Sequence, residues 1–154
     1  LQVDFVLPER LGSNYINDTG EKQVPVMLHR AILGSLERFI GIVIENCAGA
    51  MPLWLSPVQV VVMNISDTQQ KFAELVVSQL RNQGIRVSTD LRNEKITYKI
   101  REHSIKRVPY LAIVGDKEVE NNVVSLRARG QGDSGQLSVN DFVKKLKSEI
   151  SQFK

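Results

Sequence analysis

The chain has 154 residues, 42% of them hydrophobic and 24% charged, proportions of a globular protein with room for one ordinary domain, or a small domain plus part of another. No run of about 18 uncharged apolar residues occurs, which excludes an ordinary transmembrane helix, and the single cysteine, Cys47, excludes an internal disulfide and fits a reducing, cytoplasmic compartment. The net charge of +3 is uneven, because residues 1–56 hold four basic and six acidic side chains and the remainder sixteen and eleven; either a polyanion faces the C-terminal part or that part has a basic solvated surface.

In chain order, residues 3–7 alternate and stop at Pro8, which predicts a short strand. The turn signal Asn17-Asp18-Thr19-Gly20 predicts a hairpin between residues 14–16 and 24–29. That second strand ends in His29, and Gly34 and Ser35 then open a helix over residues 33–46 with Arg38 near its start. A glycine there allows close backbone approach, and an arginine beside free N–H groups at a helix beginning can hold an anion. The helix is apolar nearly all round (Leu36, Phe39, Ile40, Ile42, Val43, Ile44), which predicts burial in a larger body than residues 1–47 supply. The chain therefore reads as starting inside a domain, with a domain piece over residues 1–50 and a Pro/Gly-containing linker over 51–57.

Residues 58–154 form a second domain. A β-branched run at 59–64 predicts an inner strand covered on both faces. A helix follows over 68–82, with Phe72, Leu75, Val76 and Leu80 at core spacing and Gly84 beyond its end. Further elements are a strand at 86–90, a helix at 94–107, a strand at 110–114, a charged turn at 115–120, a strand at 123–129, a glycine-rich loop at 130–135 and an amphipathic helix at 138–152. The order predicts an α/β domain with a mixed sheet of about five strands and about three flanking helices.

Two places in this domain suit a nucleic acid. Asn93 stands at a strand-to-helix junction on the edge of the sheet where ligands usually bind, as a helix cap, a ligand contact or both. Residues 92–107 carry six basic and two acidic side chains, with Lys95, Lys99 and Lys106 roughly along one stripe, either a phosphate-contacting face or a solvated one. On the 123–129 strand, Ser125, Arg127 and Arg129 share the face opposite Val124, Leu126 and Ala128. A strand-held arginine suits the guanine edge; it can equally be solvated, or paired with Glu118 or Glu120.

Pro25-Val26-Met27-Leu28-His29-Arg30-Ala31, running into Gly34-Ser35-Leu36-Glu37-Arg38-Phe39, resembles motif 3 of the class II aminoacyl-tRNA synthetases, in the form found in the threonyl-tRNA synthetase family. Asp90-Leu91-Arg92-Asn93-Glu94-Lys95-Ile96, Lys99-Ile100-Arg101-Glu102-His103, Arg107-Val108-Pro109-Tyr110 and Gly115-Asp116-Lys117-Glu118-Val119-Glu120 resemble that family's anticodon-binding domain. The resemblance covers essentially the whole chain. It implies that Arg38 binds the ATP γ-phosphate with Gly34 and Ser35 beside it, ATP arriving with Mg2+. It implies that Gln2 lines the threonine and adenylate pocket, and that His29 is one of three ligands of a zinc ion that selects threonine by its hydroxyl. Asn93, Glu118 and Arg127 would read G and U in the anticodon of threonine tRNA, with Arg101 and Arg107 as nearby contacts. Motifs 1 and 2, the other zinc ligands and the homodimer interface have no counterpart here. The piece alone is therefore expected to be inactive in threonine activation and to bind mainly the anticodon. A non-catalytic RNA-binding module with the same fold is the alternative, and a prolyl or histidyl synthetase is a third reading that His29 argues against.

Overall fold

A computed structural model describes residues 1–153. The chain divides into two compact units, Leu1–Ile42 and the remainder from Val43 onward.

In the first unit, strand β1 (Gln2–Asp4) pairs antiparallel with a strand at Met27–His29, bringing Gln2 opposite His29. The strand expected over 3–7 stops at Asp4, because Oδ1 of Asp4 accepts the N–H groups of Val6 and Leu7, both at 2.9 Å, and turns the chain into helix α1 (Leu7–Arg10). Pro8 sits in the first turn of α1, where its missing N–H costs nothing. The turn at Asn17 is formed as expected, its Oδ1 accepting the N–H groups of Thr19 and Glu21. It joins β2 (Tyr15–Ile16) to β3 (Lys22–Gln23). The second strand expected over 24–29 forms only as β4 (Met27–His29), which returns to β1, and Lys22–Gln23, just before it, completes the hairpin instead.

Helix α2 (Leu36–Asn46) begins three residues later than expected. Gly34 takes a left-handed φ of +71°, and the Ser35 hydroxyl accepts the Arg38 N–H at 3.2 Å. None of its residues is buried; Leu36, Ile40, Ile42 and Ile44 stay exposed. The burial that its all-round apolar character called for does not occur among the described residues.

The second unit holds a five-stranded mixed sheet in the order β6-β5-β7-β8-β9. Its centre, β5 (Val60–Asn64), is fully buried and runs parallel to β6 (Val87–Asp90) and β7 (Tyr110–Val114). β8 (Val123–Ala128) and β9 (Gly132–Ser138) add antiparallel on the far side. The segment expected as a glycine-rich loop thus contributes the fifth strand: Gly130 and Gly132, both at positive φ, make the reversal that starts it. One face is covered by α3 (Gln70–Asn82) and α6 (Val139–Ser151), which enclose Val60, Val62, Ala112, Leu126 and Phe142. In α3 the buried positions are Ala73, Val76, Val77 and Leu80, and Leu75 faces solvent.

The other face is covered in its apolar middle by α4 (Ile96–Ile105), through Ile96 and Ile100 against Val61, Met63 and Leu111. The expected charged turn at 115–120 is a helix, α5 (Asp116–Asn121), closed at its start by Glu118 Oε2 accepting the Gly115 N–H at 2.9 Å. The expected linker is fastened to this unit: Leu53 and Ser56 are buried, Arg86 donates to the carbonyls of Trp54 and Ser56, and Arg129 donates to that of Met51.

Candidate nucleic-acid interface

Register fixes which side chains share the α4 face of the sheet. One row runs Asp90, Met63, Ile113, Ser125, Gln136, and the next runs Ser88, Val61, Leu111, Arg127. Helix α4 lies over the apolar middle of these rows. Their β8–β9 ends keep a polar face beside α5, whose Glu118 accepts from Ser125 and Gln136, with Ser125 and Arg127 half-buried and Gln136 exposed.

Arg127 lines a cavity of about 220 Å³ together with Ile100, Ser104, Leu111 and Gly132. It forms no ion pair and no hydrogen bond among the described residues, so neither Glu118 nor Glu120 neutralises it. The pairing of β8 with β9 is irregular between Ser125 and Arg127, the kind of local bulge that re-aims a side chain beside a site. The result is a planar cation on a strand, opposite Asp133 of β9 but engaged in no ion pair among the described residues.

At the opposite end of the first row, Asp90 organises the β6–α4 junction. Its Oδ1 accepts from Arg92 Nε at 2.9 Å, and its Oδ2 from Arg92 Nη2 at 2.7 Å and pairs with His103 Nε2 at 2.9 Å. Arg92 also reaches Glu102 at 2.8 Å, and Lys106 meets Glu102 at 2.7 Å. The Arg92 bonds hold the Asp90 carboxyl well below the usual carboxylate range, against its burial and with His103 adding to them. Lys106 and then Arg92 pull Glu102 down to about 2. Asn93, immediately after Arg92, is exposed. It does not cap the helix: the residue before α4 is Lys95, and the Asn93 amide makes no hydrogen bond among the described residues.

A carboxyl whose folded-state value is depressed stabilises the fold above its unfolded value, and that contribution is lost as pH falls toward the folded value. For Asp90, from an ordinary 3.8, the loss begins below about pH 4; for Glu102 it runs from 4.5 toward about 2. Urea unfolding between pH 5 and pH 2.5 is expected to show a steep drop for the wild type and a shallower one for Asp90→Asn, which starts about 2 kcal/mol less stable at neutral pH. Parallel curves would contradict this.

The expected lysine stripe on α4 is not formed. Lys99 is fully buried, and its ammonium donates to the Asn64 carbonyl at 3.1 Å, Asn64 Oδ1 at 3.0 Å and the Asp90 carbonyl at 3.2 Å. Burial pushes its pKa down. Lys95 and Lys106 remain exposed. Arg101 is exposed on α4, and Arg107 has a left-handed φ of +56° with its carbonyl accepting from Arg129. Glu118, expected to read a base, is buried: Oε1 accepts from the Ser125 hydroxyl at 2.7 Å and from the Gln136 amide at 2.8 Å. Burial raises its pKa, but these bonds with that of the Gly115 N–H outweigh it and leave it lowered. Gln136 is the polar residue that sequence reasoning missed; its alternation with the inward Leu137 was hidden by the neighbouring glycines.

In the first unit, Gln2 and His29 stand opposite each other on β1 and β4, and His29 Nε2 lies 3.3 Å from Asp4 Oδ2. A carboxylate on one imidazole nitrogen leaves the other oriented for a metal. Among the described residues, however, no group of three or more His, Cys, Asp or Glu side chains is placed to hold an ion, so this chain fits one zinc ligand and not a zinc site. Gly34, Ser35 and Arg38 are together at the start of α2, with Arg38 exposed.

Residues 59–149 match the family model described as "Anticodon binding domain". Over 152 residues the chain is 58% identical to the threonine–tRNA ligase of Alkalilimnicola ehrlichii and 57% identical to that of Nitrosomonas europaea, covering 99% of this chain and 24% of each relative. It therefore spans about a quarter of the length of these relatives. Among solved structures, the RNA binding domain of threonyl-tRNA synthetase from Cryptosporidium parvum superposes with a TM-score of 0.78 at 34% identity, covering 96% of this chain and 38% of that one. Prolyl-tRNA synthetase from the same organism, at 20% identity and a TM-score of 0.66, shares the fold.

Proposed function

The chain belongs to the anticodon binding domain family, and from that premise we propose that it is the anticodon-reading part, with the end of the catalytic domain, of a cytoplasmic threonine–tRNA ligase. The observation that carries this is the Arg127 guanidinium, without an ion pair or hydrogen bond among the described residues, beside a cavity on the sheet whose opposite edge strand, β6, leads into Asn93. A single-stranded base fits such a place: the cavity takes its ring, and the guanidinium fork meets the adjacent acceptors O6 and N7 of guanine. Asn93 offers both a donor and an acceptor from a junction clamped by Asp90, and the exposed Arg101 and Arg107 suit backbone phosphates.

The parent enzyme would activate threonine with ATP and transfer it to tRNA. In that reaction Arg38, with Gly34 and Ser35, would hold the triphosphate and its Mg2+, and Gln2 would line the threonine pocket next to His29. His29 would give zinc a single imidazole, steadied by Asp4. The remaining ligands have to come from outside this chain. The homodimer contacts of such an enzyme would also lie outside these residues. Activation by this chain alone is accordingly not expected.

Binding of the chain to the anticodon stem–loop of threonine tRNA, compared at one salt concentration with a loop of scrambled anticodon, tests the reading. A preference of about tenfold or more for the intact anticodon is expected. Equal affinities would refute it.

A further inference from the structure

The geometry around Glu118 points to a base-reading residue outside the expected set, and we propose that it is Gln136. This rests on the anticodon-binding reading of the β8–β9 face. Gln136 stands in register with Ser125 on the edge strand β9, and is exposed where Glu118 is buried. Its amide nitrogen donates to Glu118 Oε1 at 2.8 Å and to the Ser125 hydroxyl at 3.3 Å. The Ser125 hydroxyl spends its own proton on Glu118 Oε1 at 2.7 Å, so it can only accept from Gln136. A carboxylate likewise only accepts. Both partners therefore demand the NH2 end of the amide, and its flip is fixed by chemistry.

The consequence is a carbonyl, Oε1 of Gln136, with no partner among the described residues and pointing away from the Glu118–Ser125 pair. Glu118 has no such freedom, since Oε2 holds the Gly115 N–H and Oε1 already takes two donors. What this corner presents to a ligand is one oriented acceptor on a charged support. That matches the ring N–H of guanine or uracil, and mismatches adenine and cytosine, whose ring nitrogen at the same place is itself an acceptor. Glu118 is then a positioning residue that acts through Gln136, and Arg127, two residues along the same strand face, addresses a neighbouring group.

The test uses the full chain with four anticodon stem–loops: the threonine loop, single G→A and U→C replacements, and a scrambled loop. The wild type is expected to discriminate against both replacements. Gln136→Ala and Gln136→Leu are expected to lose about tenfold in affinity for the threonine loop and almost nothing for one of the replaced loops, so that discrimination collapses at one position and survives at the other. Thermal unfolding checks that neither variant loses structure; an exposed glutamine should cost little there. In a double-mutant cycle, Glu118→Gln should reduce discrimination in the wild-type background and add nothing on top of Gln136→Ala.

Unchanged discrimination at both positions in the Gln136 variants would overturn the proposal, and additive effects would overturn the positioning role of Glu118. Should Arg127→Ala reduce anticodon preference while the Gln136 variants do not, the anticodon reading stands and this inference fails. A wild type that does not discriminate at all overturns both.

Discussion

Replacing Arg127 with alanine is expected to cut affinity for the threonine anticodon stem–loop by about tenfold to a hundredfold, and affinity for a scrambled loop by about threefold or less. A bidentate arginine–guanine contact contributes on the order of 1–3 kcal/mol of discrimination, whereas a lost phosphate contact weakens all sequences alike. The sequence-dependent share dominates here because Arg127 is half-buried beside a cavity and is held in no ion pair among the described residues, with Asp133 across β9 as its nearest registered carboxylate. The Arg127 backbone is anchored by Leu126, which is fully buried on the other face of β8. Since Arg127 makes no hydrogen bond among the described residues, the substitution should leave thermal stability within about 0.5 kcal/mol. Arg127→Lys should not restore discrimination, because an ammonium lacks the planar fork. Titration of both loops with the three proteins at fixed ionic strength decides the matter; equal losses on the two loops would reduce Arg127 to a non-specific contact.

The parts of this fold that were legible in the sequence are those where one element is decided by its own residues. The β-branched run of β5 and the apolar spacing of α6 both carry their signal locally. The inward and outward faces of β8 were legible for the same reason, and with them Arg127.

What could not be read depends on partners remote in sequence. Lys99 looks like a surface lysine to any periodicity argument; only the ends of β5 and β6, 35 and 9 residues away, make it a buried donor. β9 was hidden because glycines at 130, 132 and 135 read as a loop, although two of them only build the reversal and the strand pairing comes from β8. Asp4 was read as a strand residue, and its roles as a turn acceptor and as a partner of His29 required β4 to be laid beside β1. Glu118 was expected among the base contacts, but that its two oxygens are already occupied is a fact of three converging elements.

Lys99→Met should lower the stability of the second unit by about 2–4 kcal/mol, read as a fall in the urea midpoint with an unchanged slope. Two opposed effects decide the sign. Taking an ammonium out of water is costly, so a methionine of similar length and shape relieves a desolvation penalty. Against that, the three oxygens that Lys99 serves stay where they are, on Asn64 and on the Asp90 carbonyl, both residues almost fully buried. Each buried acceptor left without a donor costs about 1–3 kcal/mol, and water has little room to replace the ammonium. The acceptors therefore outweigh the relief. The same donor ties the C-terminal ends of β5 and β6 to α4, so its loss should also loosen the junction that carries Asn93. Anticodon discrimination should then fall even at temperatures where the variant is fully folded. A Lys99→Met protein as stable as the wild type would mean that the buried charge costs as much as its three bonds return, and a stable variant with intact discrimination would show that Asp90 and Arg92 alone fix the Asn93 junction.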